Sequence, residues 1–160
     1  MSAPPRKKSK ETVLGSTLEM CSVRVGNTLF GIPITHILEI VGSSPAQPVP
    51  LAPDYVGGLV HYRGDVLTTV SMRRLLDLPP VETLPDILVF DGESGYFGLL
   101  VDSVCDVLTV DPADFEPNPS ILDGRRRQLF AGAYKLKKGL LVMLDPVRLD
   151  PMNLAAILTV

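Results

Sequence analysis

The residues best suited to chemistry in this chain are an arginine at a tight corner and a few scattered carboxylates. Arg63 and Gly64 stand between two runs of mixed apolar character, which predicts two strands that meet at a two-residue turn. Gly64 supplies the positive φ that such a turn requires. Glu39 is the first candidate to pair with the arginine, because a carboxylate can hold a guanidinium in a fixed geometry. An arginine displayed on a rigid tip is suited to protein recognition.

We predict that the residues around this corner form one partner-binding surface. Its members are Glu39, Gly58, Val60, Tyr62, Arg63 and Gly64. The orientation of Tyr62 stays open at this stage. An exposed tyrosine beside an arginine suits an interface hot spot, where both residue types are enriched, but a tyrosine turned into the core fits the pattern equally well.

Catalysis and metal binding find little support in the sequence. Glu39 and Asp106 lie at matching places of an internal repeat, and strand carboxylates of this kind usually face solvent. Cys21 and Cys105 are far apart, each inside an apolar run, which predicts two buried free thiols in a reducing cytoplasm. Because the sequence contains no C-x-x-C motif and no Cys/His cluster, we predict no metal, no cofactor and no enzymatic activity.

Composition restricts the class of protein further. The 160 residues suit one domain or two small ones that share a core, and the net charge of -3 gives no reason to expect a nucleic-acid binder. The sequence has no apolar run of about eighteen residues, so no membrane span is predicted. No apolar segment follows the basic residues near the N-terminus, which argues against a secretory signal. We therefore expect a cytoplasmic protein.

Hydrophobic periodicity predicts a mostly β chain. Residues 1–16 are polar and are expected to be a disordered tail. The predicted strands form four hairpins and two single segments. The hairpins cover 18–32, 57–70, 87–101 and 129–144, and the single strands lie near 36–41 and 104–110. The segment 36–41 is short enough to be a helical turn instead.

Proline and capping residues place the remaining elements. Four prolines between Gly42 and Tyr55 predict an extended loop, since proline fixes φ and has no N–H to donate. Residues 71–78 predict one or two helical turns. Asp150 and Pro151 predict the N-cap and the first residue of a terminal helix that runs to residue 158.

The chain contains an internal repeat. Residues 30–41 and 97–108 agree in their apolar and acidic positions, and the pair Arg63-Gly64 corresponds to Lys138-Gly139. Two copies of one β-unit are too small to bury much core separately, so they are expected to pack across an apolar seam. We assign the first barrel to about 17–80, the second to about 85–150 and the helix to about 150–158, within one domain over 17–158.

From residue 18 to 158, the order of these features resembles the CheW-like family of chemotaxis coupling proteins. The family pattern is a Gly, an apolar pair, Asn-Leu-Arg-Gly, and then an apolar Pro-Val-Ile-Asp-Leu-Arg stretch. Here the matching segment runs from Gly58 to Arg73 and keeps the Gly, the Arg63-Gly64 pair and the final Arg. The departures are the residues that replace Asn, Leu, Pro and Asp of the pattern. They are His61, Tyr62, Thr68 and Ser71.

The resemblance implies an all-β fold with short helices, in which two SH3-like five-stranded barrels pack together. It also implies a non-catalytic adaptor whose partners are the regulatory domain of a CheA-type histidine kinase and the cytoplasmic tip of a methyl-accepting chemoreceptor. Such an adaptor is cytoplasmic and reaches membrane-associated receptor arrays through its partners. The alternative is a divergent CheW-like adaptor in another chemosensory pathway (motility, development or gene regulation) with its own kinase.

Overall fold

The computed structural model describes residues 17–117 and 126–158, and most of them lie in β-strands. The first half of the chain forms β1 (Leu18–Val25), β2 (Thr28–Pro33), β3 (Glu39–Val41), β4 (Val56–Tyr62) and β5 (Asp65–Ser71). The second half forms β6 (Asp86–Gly92), β7 (Gly95–Val101), β8 (Ser103–Val110), β9 (Phe115–Glu116), β10 (Phe130–Leu136) and β11 (Gly139–Leu144). The described residues also contain three α-helices, α1 (Met72–Leu75), α2 (Pro146–Leu149) and α3 (Pro151–Leu158), and three short 3-10 helices. The tail predicted over residues 1–16 lies outside the described residues.

The four predicted hairpins are confirmed. They are the antiparallel pairs β1–β2, β4–β5, β6–β7 and β10–β11. The terminal helix is also confirmed, because Asp150 Oδ1 accepts a hydrogen bond from the backbone N–H of Met152 at 3.0 Å and so caps α3. The strand predicted over 36–41 is shorter than expected. Pro33 ends β2 and starts a 3-10 turn over Ile34–His36, and β3 therefore begins only at Glu39.

Each sheet takes strands from both halves of the chain. The six-stranded sheet has the order β8-β1-β2-β11-β10-β9, and the five-stranded sheet has the order β3-β6-β7-β5-β4. The expected division into a barrel over 17–80 and a barrel over 85–150 differs from this arrangement. The N-terminal hairpin β1–β2 lies with strands of the second half, and the β6–β7 hairpin lies with strands of the first. The parallel pairs β2–β11 and β5–β7 bring the two halves together.

The repeat is nevertheless present in the sheet order. If β6, β7, β8, β10 and β11 are taken as the second copies of β1, β2, β3, β4 and β5, the order of one sheet becomes the order of the other, with β9 as an addition. The repeated Phe-Gly pairs lie in β2 and β7. The sequence therefore contains two copies of one unit, and the copies exchange their hairpins.

The largest apolar cluster lies between the two sheets. Phe30 stacks on Phe130 with ring centroids 5.9 Å apart, and Phe90 stacks on Phe97 at 5.3 Å. A smaller cluster packs inside each sheet. The predicted apolar seam is thus present and holds most of the large buried side chains, because neither small curved sheet can bury them alone.

An ion pair between Arg73 and Asp102 stabilises the connection through which the chain passes from one sheet to the other. Asp102 lies between β7 and β8, and its carboxylate accepts two hydrogen bonds from Arg73, both at 2.7 Å. The backbone N–H of Gly26, in the β1–β2 turn, donates to the same carboxylate at 2.8 Å. The hydrogen bonds from Arg73, aided by that from Gly26, lower the pKa of Asp102 against the opposing effect of burial.

Asp102→Asn is expected to reduce the free energy of unfolding at neutral pH by about 1–3 kcal/mol, because Arg73 loses a charged, two-pronged acceptor. The folded-state pKa of Asp102 is lowered, so its stabilising contribution is complete above the unfolded pKa of about 4 and is lost as pH falls through the folded value. Urea unfolding of both proteins from neutral to acidic pH measures this. The variant should lose less stability on acidification, and parallel pH profiles would contradict the assignment.

Candidate partner-binding surface

The corner at Arg63 is a tight two-residue turn between β4 and β5. Arg63 has φ +50° and Gly64 has φ +81°, and Tyr62 pairs with Asp65 across the turn. Positive φ at both central residues is the requirement of a type I′ turn, whose twist matches that of the flanking strands. The positive φ predicted for Gly64 is confirmed. The sequence did not predict that Arg63 would share it.

A carboxylate holds the arginine at this corner. The Tyr62 hydroxyl donates a hydrogen bond to Glu39 Oε1 at 2.6 Å, and Arg63 Nη2 donates to the same oxygen at 2.8 Å. The guanidinium carbon lies 5.3 Å from the centroid of the Tyr62 ring, a favourable cation–π distance. We call Glu39, Tyr62 and Arg63 the Glu39 corner. The predicted pairing of Arg63 with Glu39 is confirmed.

The Glu39 corner joins the two edges of the five-stranded sheet. Glu39 lies on β3, which is one edge strand, and Tyr62 ends β4, which is the other. A backbone bridge helps to join the edges, since Gln47 and Leu59 exchange two N–H···O bonds of 2.8 Å each. The same contacts that display the arginine therefore close the sheet on itself, and this limits how far the guanidinium can move.

Hydrogen bonding sets the electrostatics of the corner. The hydrogen bond from Tyr62 is the main reason why the pKa of Glu39 lies below its usual value, and Arg63 lowers it further, while partial burial opposes the shift. The same hydrogen bond raises the pKa of the Tyr62 hydroxyl. The Arg63 side chain is 72% exposed. The corner thus presents a held, accessible cation above an ionised carboxylate.

Three of the predicted surface residues point into the protein and not towards solvent. Gly58, Val60 and Tyr62 alternate along β4, so they share one face of the strand, and all three are buried. Val60 packs in the cluster inside the five-stranded sheet, and only 8% of Tyr62 is exposed. The predicted partner surface includes Gly58 and Val60, but the alternation along β4 turns both of them inwards. Tyr62 adopts the core-facing alternative, with its ring edge-on to Tyr96 at 5.9 Å.

The sequence reasoning also missed exposed apolar side chains near the corner. Leu38 and Ile40 flank Glu39 and are about half exposed, as is Val66 on β5. Part of this could have been predicted from the sequence. Glu39 and Ile40 are neighbours on a strand, so their side chains must point to opposite faces. Val66 lies two residues after Gly64, so it places apolar surface close to the turn that carries Arg63.

Gly58 has a backbone role instead of a surface role. It has φ +120°, and an added Cβ would lie 2.6 Å from the carbonyl oxygen of Gln47. The pairing register of β4 with β5 shifts between Val56 and Gly58, which marks a bulge. The close approach of Gln47 to β4, and hence part of the sheet closure, needs a residue without a side chain at this position.

Gly58→Ala is therefore expected to destabilise the protein by more than about 2 kcal/mol. The positive φ costs about 1–2 kcal/mol for alanine, and the clash with Gln47 adds to this. Gly64→Ala is the matched control. Gly64 also has positive φ, but an added Cβ there meets no atom within 4 Å. Chemical unfolding of both variants measures the difference, and equal losses would show that crowding at Gln47 does not matter.

The matching corner of the six-stranded sheet differs in its residues. Lys137 and Lys138 form the turn between β10 and β11, and Gly139, with φ +142°, begins β11 and pairs with Leu136. The expected match of Arg63-Gly64 with Lys138-Gly139 is therefore one residue out of register. Asp106 takes the place of Glu39, is exposed, and accepts a hydrogen bond from Ser22 through its backbone carbonyl. The repeat thus presents two similar turns with different side chains, one tipped by arginine and the other by lysine.

The two cysteines differ in exposure. Cys21 is buried as predicted, and burial raises the pKa of its thiol. The prediction of burial is wrong for Cys105, which is exposed because β8 is an edge strand whose central residues face outwards. Both thiols are free.

One cleft gathers several titratable side chains. It has a volume of about 330 Å³ and is lined in part by His36, Asp91, Glu93 and Asp150. Asp150 is buried there, and its carboxylate accepts hydrogen bonds from the backbone N–H groups of Glu93 at 2.8 Å and Met152. The carboxylate therefore ties the terminal helix to the β6–β7 turn.

Over residues 17–117 and 126–158, no set of three His, Cys, Asp or Glu side chains is placed to hold a metal ion. None of the helices in that part of the chain has the length and apolar character to cross a membrane.

The paired sheets match the fold of a solved structure. The crystal structure of the scaffolding protein TtCheW from Thermoanaerobacter tengcongensis superposes with a TM-score of 0.74 over 82% of this chain and 86% of that chain, at 18% sequence identity. That likeness defines the class of fold. The model of the CheW-like domain matches residues 19–151, and the chain belongs to the CheW-like family.

Relatives within this family come from several bacteria. The chemotaxis protein CheW of Rhizobium meliloti is 34% identical over 129 residues, which cover 79% of this chain and 83% of that protein. The probable chemotaxis protein CheW of Rhizobium etli is 30% identical with the same coverage. Protein FrzA of Myxococcus xanthus is 28% identical over 63% of this chain and 64% of its own length.

Proposed function

We propose that this protein is a non-catalytic adaptor that couples chemoreceptors to a CheA-type histidine kinase. The observation that carries the proposal is the Arg63 guanidinium, which is held by Glu39 yet mostly exposed. We assign the corner to the kinase: the Glu39 corner docks the kinase regulatory domain. Membership of the CheW-like family supports this role.

The contacts of Arg63 reduce the entropy that its side chain loses on docking. A free arginine side chain loses rotamer freedom when a partner binds it, and this loss opposes association. Arg63 is already fixed by Glu39 and by the ring of Tyr62, so less freedom is lost on docking. Its cation can meet a carboxylate or carbonyl of the partner, while Val66, about half exposed and two residues after the turn, supplies the apolar contact that interface centres favour.

The corner should keep its charges over a wide pH range. Because Tyr62 and Arg63 lower the pKa of Glu39, the carboxylate stays ionised at neutral and mildly acidic pH. Docking at Arg63 is then expected to be insensitive to pH in that range. The adaptor itself would bind neither nucleic acid nor lipid, and would reach a receptor array from the cytoplasm through its protein partners.

A second candidate is the same adaptor role in a different chemosensory pathway with its own kinase. One departure from the family pattern favours this second candidate. Tyr62 stands where the pattern has Leu, and its hydroxyl contributes the 2.6 Å hydrogen bond to Glu39. Ser71 stands where the family pattern has Asp. It still caps α1, because its hydroxyl accepts a hydrogen bond from the backbone N–H of Arg74 at 3.3 Å.

Arg63→Glu is expected to weaken binding of a CheA-type kinase regulatory domain at least about tenfold, because it replaces the docking cation with an anion beside Glu39. Isothermal titration calorimetry with the purified kinase domain measures the change. Lys138→Glu makes the same charge change at the matching turn of the other sheet, and it should leave this affinity within about twofold of wild type.

A double variant separates docking from folding. Glu39→Arg combined with Arg63→Glu restores an ion pair across the corner with reversed polarity. We expect it to recover the thermal stability that Arg63→Glu loses, but not the binding. A folded Arg63→Glu protein that binds the kinase domain with wild-type affinity would refute the assignment of this corner.

A further inference from the structure

The N-terminal segment and the rest of the chain carry charges of opposite sign. Residues 1–16 contain four basic side chains and one acidic side chain, which gives a net charge of +3. Residues 17–160 contain 11 basic and 17 acidic side chains, which gives a net charge of −6. Four of the five residues from Arg6 to Lys10 are basic, so the positive charge is concentrated in one short run. Such a run is attracted to acidic surface, and salt weakens the attraction.

An acidic face lies close to the point where the described part of the chain begins. Glu19 pairs with Thr109 in the β1–β8 ladder, and Asp111 follows two residues after Thr109. Asp114 ends the 3-10 turn after β8, and its N–H donates to the carbonyl of Asp111 at 2.9 Å. All three acidic residues are exposed. We call Glu19, Asp111, Asp114 and the adjoining Phe115 the Asp111 face.

The carboxylates of this face have no ion-pair partner on the folded body. Within the described ranges, no basic side chain forms a salt bridge with Glu19, Asp111 or Asp114. The ion pair of Lys135, at 3.0 Å, is with Glu116. Hydrogen bonding to Glu116 is the main reason why the pKa of Lys135 is raised, and the charge of Asp114 adds to this effect. The face therefore presents three carboxylates to a cationic ligand.

A fixed aromatic ring borders these carboxylates. The ring of Phe115 packs against Tyr134 with centroids 5.2 Å apart, and Phe115 is 38% exposed. Gly132 makes room for this ring, because an added Cβ would overlap it. Phe115 also pairs with Tyr134 in the β9–β10 ladder, so backbone and side chain are both held. A partly exposed ring next to carboxylates is suited to lysine and arginine side chains, through cation–π contact and ion pairing.

We infer that the basic segment 6–10 of this chain docks on the Asp111 face, with its cations paired to the three carboxylates and placed against the aromatic ring. Lys10 and Arg6 precede Thr17 by 7 and 11 residues, so they can lie as far as about 23 Å and about 36 Å from it. A segment joined to its site by a short linker has an effective concentration in the millimolar range, which favours this face over that of another copy.

The contact would mask a basic run. A docked segment is not available to other anionic surfaces, such as lipid headgroups or nucleic acid, and salt controls how much of it is docked. The Asp111 face belongs to the six-stranded sheet, whereas Arg63 lies on the five-stranded sheet. The inference is therefore independent of the docking role proposed for the Glu39 corner.

Trypsin measures this docking, because it cleaves after basic residues only where they are accessible. The full chain is digested at an ionic strength of about 0.1 M, where the Debye length is about 10 Å, and cleavage within residues 6–10 is followed by mass spectrometry. The face variant combines Glu19→Gln, Asp111→Asn and Asp114→Asn. Asparagine at position 111 can still accept the hydrogen bond from the N–H of Ala113.

We expect cleavage within the segment to be about three- to tenfold faster in the face variant than in wild type, because three surface ion pairs are lost together. At about 1 M salt, where the Debye length is about 3 Å, the two rates should be equal. The matched control combines Asp65→Asn, Asp91→Asn and Glu93→Gln, which neutralise three exposed carboxylates at hairpin turns of the five-stranded sheet. Its cleavage rate should stay within about twofold of wild type.

A second measurement leaves the folded body unchanged. In the segment variant, Arg6, Lys7, Lys8 and Lys10 are all replaced by glutamine, and 1H–15N NMR compares its backbone amides with those of wild type. We expect resonance shifts over residues 111–115 and at Glu19. The amides of Asp91 and Glu93 should not shift.

Each outcome decides the inference. Unchanged resonances at the Asp111 face in the segment variant overturn it. Equal acceleration of cleavage in the face variant and the matched control shows that overall charge is responsible, and this also overturns it. Protection from trypsin that rises with protein concentration assigns the segment to the face of a second copy and refutes docking within one chain. If the face variant melts well below wild type, the NMR comparison decides.

Discussion

Two parallel strand pairs are the constraint on which the architecture depends. In the pairs β2–β11 and β5–β7, strands of one repeat hydrogen-bond in parallel to strands of the other, and the antiparallel pairs β1–β8 and β3–β6 also join the two repeats. Each hairpin could form by itself, but a lone two-stranded hairpin has little stability in water. Because the repeats exchange hairpins, each sheet takes its strands from both repeats, and the two sheets share the larger core between them.

The closure of the five-stranded sheet joins structure to recognition. Glu39 accepts hydrogen bonds from two residues at the end of the opposite edge strand, so one carboxylate both links the sheet edges and fixes the displayed arginine. The buried face of β4 supports this arrangement from inside, through Tyr62 and its ring contact with Tyr96. A recognition residue that is part of the closure of the fold is held more firmly than one on an open loop.

Local features were predictable from the sequence, and non-local ones were not. The hairpins, the turn at Gly64 and the cap at Asp150 depend on residues close together in the chain, and the structure confirms them. The Arg63–Glu39 pair was correctly proposed although the residues are far apart in sequence. The assignment of strands to sheets failed, because it depends on which hairpins pair in parallel. The exposure of Cys105 failed for a related reason, since no local pattern identifies β8 as an edge strand.

The exchange of hairpins has a consequence for the synthesis of the chain. The hairpin β1–β2 emerges first from the ribosome, yet its neighbours β8 and β11 end at Val110 and Leu144. The apolar face of this hairpin therefore stays uncovered until most of the chain has been synthesised. Pairings of such long sequence separation slow folding. They also allow the hairpin of one molecule to take its place in another, so crowded nascent chains are exposed to intermolecular exchange.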